Sequence, residues 1–116
     1  MVRSMPNQSS PLDRVFQALA DPTRRAVVER LTRGPAAVSE LAKPFGMALP
    51  SFTQHLGVLE GSGLVRSRKL GRVRTYELRP KQLRAAEQWM VKQRAIWERR
   101  LDQLDDYLNT MKEQKP

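Results

Sequence analysis

The stretch from Ser39 to Leu78 constrains this chain most. Two short helical patterns run directly into two extended ones, and six basic side chains lie within it: Lys43, Arg66, Arg68, Lys69, Arg72 and Arg74. The extended runs, Val65 to Leu70 and Val73 to Leu78, flank Gly71-Arg72. A two-residue turn there sets Leu70 opposite Val73 and Arg66 opposite Glu77, with Val65 opposite Leu78 and Ser67 opposite Tyr76 on the other face. This predicts a half-buried hairpin with Arg72 and Arg74 at its tip. Before it, Pro50 opens a helical pattern with apolar positions Phe52, Leu56 and Leu59, a spacing of four and three that marks one buried face. Gly61-Ser62-Gly63 stops that helix near Glu60. Ser51, Thr53, Gln54 and His55 are left near its start as short or planar hydrogen-bonding side chains, where a solvated helix more often carries Glu and Lys. Ser39-Glu40-Leu41-Ala42-Lys43-Pro44-Phe45 predicts a shorter helix that ends at Gly46.

Upstream, Met1 to Pro11 is rich in Ser, Pro, Asn and Gln and has no apolar periodicity, so residues 1–11 are expected to form a flexible tail. Leu12, Val15, Phe16 and Leu19 recur at helical spacing and predict a helix from Leu12 to Ala20. Asp21-Pro22-Thr23 opens a second, with Asp21 as N-cap and Pro22 at the first position, where no backbone donor is needed. Val27, Val28 and Leu31 continue its apolar face until Gly34-Pro35 stops it near Thr32, and Ala36 to Val38 suits a short strand. Residues 12–80 thus read as one compact domain, and 81–116 as a helical segment. In that segment Leu83, Met90, Trp97, Leu104 and Met111 recur at intervals of seven, a repeat that favours packing against another helix. The companion positions are Glu87, Arg94, Leu101 and Leu108, so only the distal half is apolar at both seam positions. A break between Met90 and Arg94 is one option, because Trp89, Met90 and Val91 crowd several faces.

At 116 residues there is room for one domain with a modest core. The formal charge is +9, and residues 1–80 hold 13 basic and 6 acidic side chains against 8 and 6 in 81–116. A basic excess gathered around the second helix and the hairpin points to a polyanion, most simply nucleic acid. The chain has no cysteine, which removes disulfides, thiolate zinc sites and a cysteine nucleophile together. No run approaches the roughly 18 apolar residues of a membrane span, and a soluble, unexported, cytoplasmic protein without cofactor is expected. A lone histidine without a nucleophile partner beyond Ser51, and the lack of a Gly-rich phosphate loop, argue against an enzyme.

With Leu19-Ala20-Asp21-Pro22-Thr23-Arg24-Arg25, Ser39-Glu40-Leu41-Ala42, Leu49-Pro50-Ser51-Phe52-Thr53-Gln54-His55-Leu56, Leu59, Gly63-Leu64-Val65 and Gly71-Arg72 in this order, the chain resembles the ArsR family of small bacterial winged-helix repressors. The likeness covers Leu12 to Leu78, plus a helical tail. It implies a fold that is mainly α with a small β-hairpin, a winged helix-turn-helix followed by a long C-terminal dimerisation helix. It also implies a homodimer that binds double-stranded operator DNA, usually near its own promoter, and blocks transcription until a signal weakens the complex. Where metal-sensing members carry paired cysteines this chain has Ala37 and Ser39, and its one histidine, His55, lies outside the C-terminal helices, so neither known metal arrangement is expected. Asp102, Asp105 and Asp106 cluster on the last helix and read as a solvated acidic face. Two further departures are Ala48, where an N-cap Ser or Thr is usual, and Gly57, where a charged residue is common.

The resemblance places the second helix of the motif in the major groove, with Ser51, Thr53, Gln54 and His55 at the matching positions. Gln54 is the first choice for reading a base, because its amide can pair in a bidentate way with adenine N6 and N7. Ser51 and Thr53 suit phosphate or single-bond base contacts, and His55 either touches DNA or packs against the third helix. In the hairpin, Arg72 and Arg74 are placed to reach the minor groove or its phosphates, and Arg68 and Lys69 to hold the backbone. Trp97, Leu101, Leu104 and Leu108 are the expected dimer residues, with an intramolecular core against the first helix as the alternative. An apolar cleft between the first and last helices leaves room for an unidentified small-molecule effector. The rival readings are a sequence-tolerant architectural or RNA-binding protein and a dimeric protein-binding adaptor.

Overall fold

The computed structural model describes residues 10–113, so most of the expected tail lies outside the described residues. Helices α1 (Pro11–Leu19) and α2 (Pro22–Leu31) lead into a two-residue strand β1 (Ala36–Ala37), a short α3 (Val38–Ala42) and α4 (Leu49–Gly61). Strands β2 (Val65–Leu70) and β3 (Val73–Leu78) follow, and α5 runs from Pro80 to Glu113. The chain divides into two compact units after Ala86, beyond the boundary expected at residue 80.

Helix α1 starts one residue earlier than its apolar spacing suggests. Ser10 caps it, accepting from the Asp13 backbone N–H at 3.0 Å, while Asp13 accepts in return from the Ser10 N–H, and Pro11 takes the first turn, where it costs no hydrogen bond. Asp21 caps α2 as expected, accepting from the Arg24 N–H at 3.1 Å. Helix α3 ends at Ala42, short of the expected Phe45. Pro44 has no N–H to continue the ladder, and Phe45 turns back to pack on Phe52, the ring centroids 5.3 Å apart. Helix α4 opens at Leu49 on an Ala48 that makes no side-chain cap.

The hairpin has the expected register, Leu70 against Val73 through to Val65 against Leu78, and Ala36 of β1 pairs with Tyr76 to give a three-stranded antiparallel sheet in the order β1-β3-β2. Gly71 adopts φ 62° in the turn, as a two-residue connection requires. Gly63, φ 83°, ends α4 in the left-handed region that favours glycine, and a Cβ there would come within 2.8 Å of Gln82 Cγ and push that side chain aside. Phe52, Leu56 and Leu59 of α4 are fully buried and form the centre of the first unit's core with Val15, Val27, Leu41, Leu64 and Val65. One face of α4 is thereby fixed and the opposite face stays in solvent.

Helix α5 continues unbroken through Met90 to Arg94. In the second unit, which begins at Glu87, every large apolar side chain is exposed, including Trp97, Leu101, Leu104 and Leu108 at 63, 54, 51 and 49%. The seam repeat is therefore unpaired in the single chain. No helix among the described residues is long and apolar enough to cross a membrane.

Candidate nucleic-acid interface

Because burial of Phe52, Leu56 and Leu59 fixes the rotation of α4, Ser51, Thr53 and Gln54 are exposed on its free face. Ser51 and Gln54 have no side-chain partner among the described residues. The Thr53 hydroxyl donates to the Pro50 carbonyl at 2.9 Å. Its hydrogen is thereby engaged, and what it offers outward is a pair of acceptor lone pairs and a methyl group. That suits a base amino group or a thymine methyl better than a phosphate, which only accepts.

His55 is placed differently. It lies half-buried, its Nδ1 3.0 Å from Arg24 Nη1 and 3.8 Å from Asp21 Oδ2. Both partners belong to the start of α2. A guanidinium only donates, so a neutral imidazole meets Arg24 through a bare Nδ1, whereas a charged one is drawn to the Asp21 carboxylate. Arg24 also donates through Nε to the Ala18 carbonyl at 2.7 Å and through Nη2 to that of Gln17 at 3.1 Å, and Arg25 donates to the Leu19 carbonyl at 2.8 Å. The Asp-Pro-Thr-Arg-Arg run thus caps the start of α2 and satisfies the last carbonyls of α1. Through Arg24 it is also joined to α4. The backbone N–H of Arg24 holds the Asp21 carboxyl below the usual carboxylate range, against some cost of burial, with the His55 and Arg24 charges adding to the effect.

The hairpin divides its cations. Arg66 donates to Glu77, and Arg68 lies 3.6 Å from the same carboxylate, which the Arg66 hydrogen bond above all keeps below its usual pKa. Arg74 donates to Ser67 Oγ at 2.7 Å, and Ser67 donates to Glu60 of α4 at 2.9 Å, a relay that ties the wing to the exposed helix. Burial, with Glu60 nearby, raises the neighbouring Tyr76 hydroxyl. Lys69 and Arg72 are exposed and have no side-chain partner among the described residues. Of the four expected wing residues, these two are the unengaged ones, while Arg74 donates to a neutral hydroxyl and Arg68 faces a carboxylate. The relay crosses from α4 to β2 and β3 and the Arg24 junction joins residues 31 apart, and local periodicity gives no sign of either.

Helix α3, the turn into α4, and a basic hairpin beside α4 define a winged helix-turn-helix, and comparison with known proteins agrees. A helix-turn-helix domain family model matches residues 19–68. The HTH-type transcriptional regulator Rv2034 of Mycobacterium tuberculosis is 52% identical over 73 residues, covering 63% of this chain and 68% of that protein. The crystal structure of an ArsR family transcriptional regulator, 57% identical, superposes with a TM-score of 0.74 over 77% of this chain and 98% of that one. The solution structure of a homodimeric winged helix-turn-helix DNA-binding domain from Mycobacterium bovis is 27% identical, with a TM-score of 0.59 over 82% and 95% of the two chains. Relatives named as transcriptional repressors match as well. The chain belongs to the ArsR family of winged helix-turn-helix transcriptional regulators.

Proposed function

We propose that the protein binds operator DNA as a homodimer, sequence-specifically, and represses transcription near its own promoter by occupying it. The observation that carries this reading is the free face of α4: Ser51 and Gln54 are unpartnered, Thr53 presents an acceptor, and Lys69 and Arg72 stand uncompensated on the wing of the same unit. Helix α4 enters the major groove. Gln54 reads a base, most favourably adenine, Ser51 bonds a phosphate or base edge, and Thr53 accepts from a base amine. The wing lies over the adjoining minor groove, where Arg72 and Lys69 contact phosphates, Arg74 is held in place by Ser67, and Arg68 contributes less because it shares Glu77 with Arg66. His55 serves the interface from behind by fixing α4 to Arg24.

Dimerisation supplies the second reading head. Pairing the Trp97, Leu101, Leu104 and Leu108 seams of two copies removes from water side chains that the single chain leaves about half exposed or more. The homodimeric relative supports pairing of two copies. Two α4 helices in successive major grooves would then lie about 34–36 Å apart. Selection from a pool of randomised duplexes tests the reading: a two-fold symmetric consensus with half-sites one helical turn apart is expected. Recovery of no enriched sequence would overturn it.

A further inference from the structure

The large apolar side chains exposed in the first unit are not scattered. There are five among its described residues, Leu49, Val58, Leu70, Val73 and Leu83, and two of them share one cleft with a third paired beside it. Leu49 and Val73 line a common cleft, and Leu70 is the cross-strand partner of Val73. Single exposed aliphatics need no explanation, but a group of them within a surface of Arg, Lys, Ser and Gln does. Leu49 continues the Phe52, Leu56, Leu59 stripe past the end of the core, so it remains 56% exposed, and Val73 is 51% exposed. With Val38 they line a shallow cleft of about 310 Å³ that Ser39 and Arg72 also border.

A DNA strand has the same mixed chemistry: a deoxyribose whose C2′ edge carries only hydrogen, next to a phosphate. We propose that this cleft is a deoxyribose subsite, in which the C2′ edge of one sugar packs on Leu49 and Val73 while the adjoining phosphate accepts from Arg72 and Ser39. The proposal rests on the DNA-binding reading of α4 and the wing. Its position supports the assignment: the cleft lies between the head of the helix assigned to the major groove and the wing tip assigned to the minor groove. On a duplex, a single sugar–phosphate strand separates those grooves. The consequence is selection of DNA over RNA at one nucleotide per half-site. A 2′-hydroxyl set on Leu49 and Val73 loses water without a hydrogen bond in return, because Arg72 and Ser39 are taken by the phosphate and Arg74, which also lines the cleft, donates to Ser67.

The test uses the tightest duplex recovered by the selection described above, with a single ribonucleotide walked through one half-site. A parallel series carries 2′-fluoro sugars, which keep the ribose pucker but lack the hydroxyl donor. At one position the ribonucleotide should weaken binding about tenfold and the 2′-fluoro sugar should not, the size expected for one unpaired buried polar group. Val73→Thr, nearly isosteric and suited to a strand, supplies a partner and should reduce that ratio to about twofold or less. Tight binding of the all-deoxy duplex with no position that separates the two sugars would overturn the subsite alone, as would a full penalty retained in Val73→Thr. Failure to bind the all-deoxy duplex specifically would overturn the DNA-binding reading together with it.

Discussion

The proposed roles of Gln54 and Arg72 differ in kind, base reading against phosphate contact, and substitutions separate them. Gln54 is an exposed amide on the free face of α4, with donor and acceptor both unengaged. Gln54→Ala should cost about 1–3 kcal/mol of discrimination at one base pair per half-site while leaving non-specific binding almost unchanged. A site-selection profile of the variant checks this, and an unaltered preference would remove Gln54 from base reading. Arg72 supplies charge without a partner of its own. Arg72→Ala should weaken binding to every sequence by a similar factor and lower the salt slope by about 1 per protomer. An unchanged slope would place its guanidinium away from phosphate.

At the scale of elements, the junction of α1, α2 and α4 rests on Asp21, Arg24 and His55. The Asp21 carboxyl titrates below its ordinary value in the folded chain, so its contribution to stability is present above the unfolded pKa of about 4 and is lost as pH falls through the lower folded value. Asp21→Asn keeps a capping oxygen but removes the charge. The variant should therefore melt below the wild type at neutral pH, with the gap closing as pH falls from about 4 towards 2. Thermal unfolding of both proteins across this range decides it, and a constant gap would assign the effect to the cap alone.

The same elements show what a sequence discloses. The hairpin register was readable because a two-residue turn leaves one pairing, and a slip of one residue would carry Val65 and Tyr76 out of the core. The Asp21 cap was readable because the signal is local. The Ser10 to Asp13 capping box was equally local, yet the polar composition of residues 1–11 concealed it. Helix α3 looked longer because Leu41 and Phe45 stand four apart, although Phe45 leaves the helix to meet Phe52. Arg24 with His55 and Arg74 with Ser67 and Glu60 are tertiary contacts that only the packed chain discloses. The free face of α4 was legible; the unequal engagement of the wing cations was not.

For the whole molecule, the proposed seam on α5 would turn a small winged helix into a two-headed reader. Burying a large aliphatic side chain contributes on the order of 1.5–3 kcal/mol, and a carboxylate set unpaired into such a seam costs several more. Leu104→Glu should therefore yield monomer in sedimentation at concentrations where the wild type is dimeric, and it should lose affinity for a full operator far more than for one half-site. A variant that remains dimeric would move the interface elsewhere. Sequence-specific binding of DNA by the dimer is measured by titrating the wild type against its own upstream DNA and a scrambled duplex of equal length at several salt concentrations. A preference on the order of several hundredfold or more for the native fragment is expected, together with a steep fall in affinity as salt rises. Equal affinity for the two duplexes, with the same salt slope, would contradict it.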